Sequence, residues 1–263
     1  MLTVTHAQLY AWLALFLWPF FRLLAFMMTA PLLGHSSIPR TVKLGLAAMI
    51  TFVIAPGLPP FPAVPIWSWA GFAVIIEQVL IGAALGLVLR VTFTAVMAAG
   101  DFIGLQMGLA FATLVAPDAG GTNTMVLSQM FYMIALLMFL ALNGHLMVIE
   151  TLAFSFHALP VGYAGLNAGA FDLLARSGAT IFAAGLALAL PLIAALLIVN
   201  LCLGILNRSA PQLTVFSVGF PTSLTLGLLL IGVLMTDLGR YLDALFGQGL
   251  QMMQAMIQAM API

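Results

Sequence analysis

Charged residues are scarce in this chain of 263 residues, because only 5% are Asp, Glu, Lys or Arg while 64% are hydrophobic. Ordinary soluble domains carry about 25% charged residues, so this chain could not cover its surface in water. We therefore expect an integral membrane protein or one buried in a membrane-associated assembly. Seven basic and seven acidic residues give a formal net charge of zero. So few basic residues exclude the basic patch that a nucleic acid partner requires.

Cysteine and the recurrent catalytic motifs are equally scarce. Cys202 is the single cysteine, so the chain forms no internal disulfide and offers no paired thiols to a metal. His145 and His157 are too isolated to form a metal site by themselves. The sequence contains no phosphate-binding loop, no G-x-S-x-G and no H-E-x-x-H motif. We therefore expect no catalytic site, no metal and no cofactor.

Long apolar runs dominate what is present, and most of them approach or exceed the roughly 20 residues that cross a bilayer core. They predict an all-α, multi-helix fold with about six spans and a kink where Pro191 falls inside a helix. Five prolines within residues 56–65 favour an extended connector there. The runs cover residues 7–33, 41–54, 70–99, 125–142, 171–206 and 213–235.

The chain reads as one unit, with a hydrophobic helical body over residues 1–236 and an amphipathic helix over residues 237–263. In this C-terminal helix, Leu, Phe and Met occupy one side of the wheel and glutamines occupy the other. The polar side carries no Lys or Arg, which disfavours docking on anionic lipid. Because methionine suits adaptable contacts, we expect the helix to pack on a partner protein, with an interfacial membrane helix as the alternative.

Ionisable residues inside the apolar runs require partners. Arg22 lies in the middle of the first run, where an unpaired charge costs at least about 2.5–3.5 kcal/mol. We expect Arg22 either to pair with a carboxylate inside the bundle or to reach the headgroups from a tilted helix. Glu77 and Arg90 fall on nearly opposite faces of one helix, so each requires another partner. A structural ion pair or hydrogen bond is the first interpretation for Glu77, and a proton carrier is the alternative.

Glycines repeat every four residues at two places, which predicts faces where another helix approaches closely. After the second repeat the chain stays apolar to Pro117 and then becomes Asp-Ala-Gly-Gly-Thr-Asn. Two interpretations stay open: a tight helix contact followed by a surface loop, or a deformable apolar loop that can occupy and vacate a passage. The repeats are Gly82 with Gly86, and Gly100 with Gly104 and Gly108.

Residues 200–221 combine amide side chains with a helix stop. Asn200, Gly204, Asn207 and Pro211 fall within about one 60° arc of a helix. Lipid cannot hydrogen-bond amides, so this face should contact protein. Pro211 forces the helix to end, which predicts a turn that carries Arg208 and Gln212.

The run N-x-x-x-G-x-x-N-R-x-A-P-Q-x-x-V-F-x-x-G-F-P over residues 200–221 resembles the most recognisable segment of the FliR family. This family comprises a subunit of the flagellar export gate and its counterparts in virulence type III secretion systems. The length of the chain and its Asn-Arg-Ser-Ala-Pro-Gln motif favour the flagellar version. Asp101 departs from the Glu usual in the family but keeps the charge. The likeness extends to Glu77, Gly82, Gly86, Gly100, Gly104, Gln106, Met107, Gly108, Pro117, Asn143, Gly144, His145, Ser155, Phe156 and Pro160.

The resemblance implies a subunit of the type III export gate in the bacterial inner membrane, at the flagellar basal body. It implies assembly with FliP and FliQ into a helical pore, contact with FlhB and with membrane lipid, and passage of unfolded export substrates. In that family the subunit behaves like a fused FliP and FliQ, and the loop after the glycine repeat plugs the pore. The corresponding residues here lie in 106–123 and include Gln106, Met107, Gly108, Phe111, Pro117, Gly120 and Gly121.

Polar and aromatic positions complete the set of predicted sites. We expect intersubunit or buried polar contacts at Arg22, Glu77, Arg90, Asp101, Arg208, Pro211, Gln212 and Phe216. The alternative function is a proton-coupled secondary transporter or permease with Glu77, Arg90 and Asp101 on an ion path, although the inverted repeats common in transporters are absent. An intramembrane enzyme is a weaker alternative because no nucleophile constellation is present.

Overall fold

The computed structural model of the protein describes residues 6–34, 38–59, 61, 64–110, 126–162, 165–167, 169–209 and 218–261. These residues form helices and connecting turns without a β-strand, so the all-α prediction is confirmed. A 3-10 turn, Ala55–Gly57, follows the second helix. The α-helices are α1 His6–Thr29, α2 Arg40–Ile54, α3 Trp69–Gln106, α4 Val126–Ala141, α5 Gly144–Ala158, α6 Gly169–Ser177, α7 Ala179–Ser209 and α8 Phe220–Met260.

Several helix boundaries follow directly from local chemistry. Asn143 separates α4 from α5 with a φ of 56°, a left-handed conformation that Asn tolerates better than most residues. Asn143 therefore marks the break between α4 and α5. Pro191 lies inside α7, as the sequence predicts, and α7 ends at Ser209, two residues before Pro211.

The helices are long and apolar enough for a membrane protein. Five stretches within the described residues could each cross a bilayer, or six if the bent pair α4 and α5 forms one span. Helices α3 and α8 contain 38 and 41 residues. A bilayer core needs roughly 20 residues, so each of these helices exceeds one untilted crossing.

The chain divides into two compact units. The first comprises Met1–Val91, Asn143–Ser177 and Gly247–Ile263. Its core packs Trp18 of α1 against Val74 of α3 and Phe156 of α5. Val64 and Val161, from the segments that precede α3 and follow α5, complete this cluster.

The second unit comprises Thr92–Leu142 and Gly178–Phe246, and its core is aromatic. The ring centroid of Phe93 lies 5.4 Å from that of Phe139 and 5.3 Å from that of Phe246. The rings of Phe139 and Phe246 are 5.2 Å apart and edge-on, an arrangement that aromatic pairs favour. Helices α3, α4 and α8 are thereby joined within this unit.

The amphipathic tail is the C-terminal half of α8, which begins at Phe220 and runs on without a break. Its apolar side is buried in its own chain, since Met253, Met256 and Met260 have no exposed surface. The expectation that this methionine side contacts a partner protein is therefore wrong. A sequence wheel shows which face is apolar, but it cannot show that the rest of the same chain already covers it. The glutamine side remains exposed.

Candidate functional site

Arg22 forms a buried polar centre between three helices of the first unit. Its side chain has no exposed surface. Nε donates to Gln78 Oε1 at 2.8 Å, Nη1 to Ser155 Oγ at 3.0 Å, and Nη2 to the Leu159 carbonyl at 2.9 Å. The guanidinium carbon also lies 4.1 Å from the centre of the Phe156 ring, which is a cation–π contact. The planar fork of Arg22 thus connects α1 with α3 and with the end of α5.

The headgroup expectation for Arg22 is wrong, while the carboxylate expectation holds only as a longer-range attraction, because Glu77 interacts electrostatically with the guanidinium without forming an ion pair with it. The ion pairs among the described residues include Asp172–Arg176 and Asp237–Arg240. None of these residues' carboxylates pairs with the guanidinium of Arg22. Burial also excludes contact with the headgroups. Neutral oxygens and an aromatic face accommodate the charge, because a guanidinium distributes its donors over a plane that several acceptors can share.

The Gly82–Gly86 face brings α3 against α1 beside this centre. A methyl group at Gly82 would overlap the carbonyl oxygen of Arg22, and one at Gly86 would lie 2.9 Å from the Phe26 carbonyl and overlap Thr29 Oγ1. Side chains at these positions would push the two backbones apart. Gln78 reaches Arg22 because α3 approaches α1 this closely.

Helix α3 ends in a glycine turn, and this turn contains the first of the predicted plug residues. Gly108 has a φ of 81°. Its N–H donates to the Leu105 carbonyl at 3.1 Å, while the Leu109 N–H donates to the Gly104 carbonyl at 2.9 Å. Together these bonds form a Schellman motif with Gly108 at C′, where glycine meets no steric penalty. Gln106 is the last helical residue, and its side chain is half-buried.

Two residues near that turn, Met107 and Asp101, contact other helices of the second unit. Met107 is buried and lies across Gly227 of α8, where a Cβ would be 2.6 Å from the methionine Cε. In the first turn of α4, the Ser128 hydroxyl donates a hydrogen bond to the Asp101 carboxylate of α3. Gly100 lies against the backbone of Ser128, because a Cβ at position 100 would be 2.7 Å from Ser128 Cα. Gly104 is buried as well.

The ionisable residues of α3 do not form one site. Glu77 is half-buried and Arg90 is exposed. Thirteen residues separate them along the helix, which corresponds to about 20 Å at 1.5 Å per residue. The Asp101 carboxylate belongs to the second unit, where it accepts a hydrogen bond from Ser128. Glu77 and Arg90 are therefore too far apart to exchange a proton directly.

The face of α7 that carries Asn200, Gly204 and Asn207 is only partly in contact with the other described residues. Asn200 Oδ1 accepts a hydrogen bond from the Ser223 hydroxyl at 2.8 Å, which links α7 to α8. A Cβ at Gly204 would meet no described atom within 4 Å, and Asn207 is half-buried. Arg208 is exposed in the last turn of α7, where a positive charge favours the helix dipole.

Seven predicted site residues lie outside the part of the chain that the structure describes. They are Phe111, Pro117, Gly120, Gly121, Pro211, Gln212 and Phe216. No group of three or more His, Cys, Asp or Glu side chains within the described ranges is arranged to hold a metal. Cys202 is exposed and forms no disulfide.

Sequence reasoning missed several residues that complete these sites. Gln78 gave a usable signal, because a second polar side chain follows Glu77 in an otherwise apolar run. The family resemblance included Ser155 and Phe156, but it assigned neither of them a role. Nothing in the sequence singled out Gly227 or Ser128, since a lone glycine and a lone serine occur throughout apolar helices.

Comparison with known proteins gives consistent matches over most of the chain. Residues 13–249 match the family described as Bacterial export proteins, family 1. The chain is 50% identical over 248 residues to the flagellar biosynthetic protein FliR of Escherichia coli (strain K12), covering 94% of each chain. It is 45% identical over 248 residues to FliR of Pectobacterium carotovorum subsp. carotovorum, again covering 94% of each. FliR of Bacillus subtilis (strain 168) is 31% identical over 224 residues, with 84% of this chain and 86% of the relative covered.

Proposed function

The chain belongs to the family Bacterial export proteins, family 1, and from this premise we propose that it is a structural and gating subunit of the flagellar type III protein-export gate. It assembles with FliP and FliQ, contacts FlhB, and resembles a FliP–FliQ fusion in the pore. Unfolded flagellar export substrates pass through this pore at the bacterial inner membrane, in the flagellar basal body. The subunit itself carries no catalytic centre.

The observation that carries this proposal is the match to flagellar biosynthetic proteins over nearly the whole chain. Identity of 50% extends over 94% of both the chain and its Escherichia coli relative. A match of this length leaves little of the protein for an unrelated function.

The exposed surface of α7 supports the assembly part of the proposal. Leu201 is 66% exposed and Ile205 is 63% exposed, and they flank Gly204, where a Cβ would meet no described atom within 4 Å. A small residue amid large apolar side chains gives a second helix a place to approach closely. The half-buried Asn207 on the same helix offers an amide that lipid could not satisfy. Such a face fits contact with a neighbouring subunit.

The plug part of the proposal concerns residues 106–123. An apolar constriction resists water and ions, and the Gly108 turn allows the chain to leave α3 abruptly. Apolar residues from Leu109 to Ala116 follow this turn in the sequence. When an unfolded substrate arrives, this segment moves aside.

The test is the ion conductance of the reconstituted complex in planar bilayers. The chain is co-expressed with FliP and FliQ from the same bacterium, and the purified complex is identified by mass spectrometry. We expect the wild-type complex to conduct little and the variant that lacks residues 110–118 to leak ions. Phe111→Ala, a smaller change, is expected to leak as well.

Two outcomes would contradict the proposal. Failure of the wild-type chain to co-purify with FliP and FliQ would reject the assembly role. Conductance that stays at the wild-type level in both variants, with the complex intact, would reject the plug role.

A further inference from the structure

Two buried nitrogens around the Arg22 centre have no hydrogen-bond partner among the described residues. They are Trp18 Nε1 and Gln78 Nε2, and both side chains are fully buried, with 0% of their surface exposed. A buried N–H group without an acceptor is destabilising, and native proteins rarely leave one in that state. Two such donors on one helix interface therefore indicate a bound group that accepts hydrogen bonds.

The orientation of the Gln78 amide is fixed by Arg22. Gln78 Oε1 accepts a hydrogen bond from Arg22 Nε at 2.8 Å. Turning the amide over would place its NH2 group against the guanidinium, so that a donor would face a donor. Gln78 Nε2 therefore needs an acceptor other than Arg22. The indole Nε1 of Trp18 has no alternative either, because it can only donate.

Trp18 and Gln78 belong to adjacent layers of the contact between α1 and α3. Trp18 precedes Arg22 by four residues on α1 and packs in the same core cluster as Val74, which precedes Gln78 by four residues on α3. Four residues of helix rise about 6 Å. One atom that accepts from two N–H groups at about 2.9 Å each can bridge nitrogens up to about 6 Å apart. A single small acceptor can thus serve both nitrogens.

The charge beside these donors also favours an acceptor. Arg22 is buried without an ion pair, and Glu77 attracts its guanidinium only at longer range. A chloride ion accepts from several donors and offsets part of the cost of a buried cation. A water molecule also accepts from buried donors, but it must in addition place two hydrogens of its own.

We propose that a single-atom hydrogen-bond acceptor, a chloride ion or the oxygen of a water molecule, binds between α1 and α3 and accepts from Trp18 Nε1 and Gln78 Nε2. It holds the side of the Gln78 amide that Arg22 does not hold. The site lies entirely within the first unit, and the inference is independent of the proposed plug.

The direct test is a high-resolution density map of the chain, purified from its native membrane with the proteins that accompany it. We expect a density peak within about 3.2 Å of both Trp18 Nε1 and Gln78 Nε2. A well-resolved map without a peak that touches both nitrogens would overturn the proposal.

Melting temperatures in sodium chloride and in sodium gluconate, at equal ionic strength, then distinguish the two acceptors. A bound chloride raises the melting temperature of the wild-type chain by at least about 2 °C in the chloride buffer, and Trp18→Phe or Gln78→Leu loses this difference. Trp12→Phe is the matched control, since Trp12 lies on the same helix and is 62% exposed, and it keeps the wild-type difference. A difference that both buried variants retain, or that the wild type lacks, identifies the peak as water.

Discussion

Replacing Arg22 by lysine tests whether the shape of the guanidinium, and not its charge alone, holds the first unit together. Arg22 donates to Gln78, Ser155 and Leu159 through three different nitrogens. A lysine ammonium places its donors around one atom and cannot reach acceptors that lie along the edge of a planar fork. The charge is kept, but we expect at least two of the three hydrogen bonds to be lost.

The expected loss of stability follows from the buried acceptors that remain. Leaving a buried oxygen without a donor costs about 1–3 kcal/mol. Two such oxygens therefore lower the free energy of unfolding by about 2–6 kcal/mol. For a protein of this size, 1 kcal/mol shifts the melting temperature by about 2–4 °C. We expect Arg22→Lys to lower the melting temperature by at least about 4 °C.

Thermal unfolding of the purified chain in detergent measures this shift. Arg176→Lys is the matched control, since Arg176 pairs with Asp172 on the surface and its side chain is 76% exposed. Exposed ion pairs contribute about 0–1 kcal/mol, so the control should hardly change the melting temperature. If Arg22→Lys melts at the wild-type temperature, or no lower than Arg176→Lys, the account of the polar centre is refuted.

Two further substitutions test helix contacts. Gly82→Ala is expected to lower the free energy of unfolding by about 1–3 kcal/mol through overlap with the Arg22 carbonyl. The control Gly45→Ala on α2, where a Cβ meets no described atom within 4 Å, should raise the free energy of unfolding by up to about 1 kcal/mol. Equal melting temperatures of the two variants would contradict this prediction. Tyr241→Phe removes a 2.6 Å hydrogen bond to the Ala184 carbonyl and should cost about 0.5–1.5 kcal/mol. An unchanged denaturation midpoint would show that this bond is not stabilising.

Much of the fold could be predicted because apolar length and breaking residues are local properties. The runs of apolar residues indicated the helices, and Asn143 marked the place where α4 gives way to α5. The merging of the C-terminal tail into α8 was missed, since a change in composition after residue 236 looked like a boundary. The backbone continues through it because Asp237 and Arg240 are compatible with an exposed helix face, where they form an ion pair.

The sites were harder to predict because they depend on distant parts of the chain. Arg22 was recognised as needing partners, but its neutral acceptors lie 56 to 137 residues away in the sequence. Periodicity identified the glycine faces, whereas the helix that each glycine meets is a tertiary property. The contact of Met107 with Gly227 is of the same kind, since the resemblance included Met107 but nothing in the sequence paired it with Gly227.

The most direct test of the central claim is site-specific photo-cross-linking during export. A photoreactive amino acid is placed at Gln106, at the start of the proposed plug, and at Phe52 on the outside of α2, which is 76% exposed. Cells are then made to export a substrate that stalls in transit. The account predicts cross-links between position 106 and the stalled substrate, and none from position 52. Absence of substrate cross-links at 106, or equal yields at both positions, would contradict it.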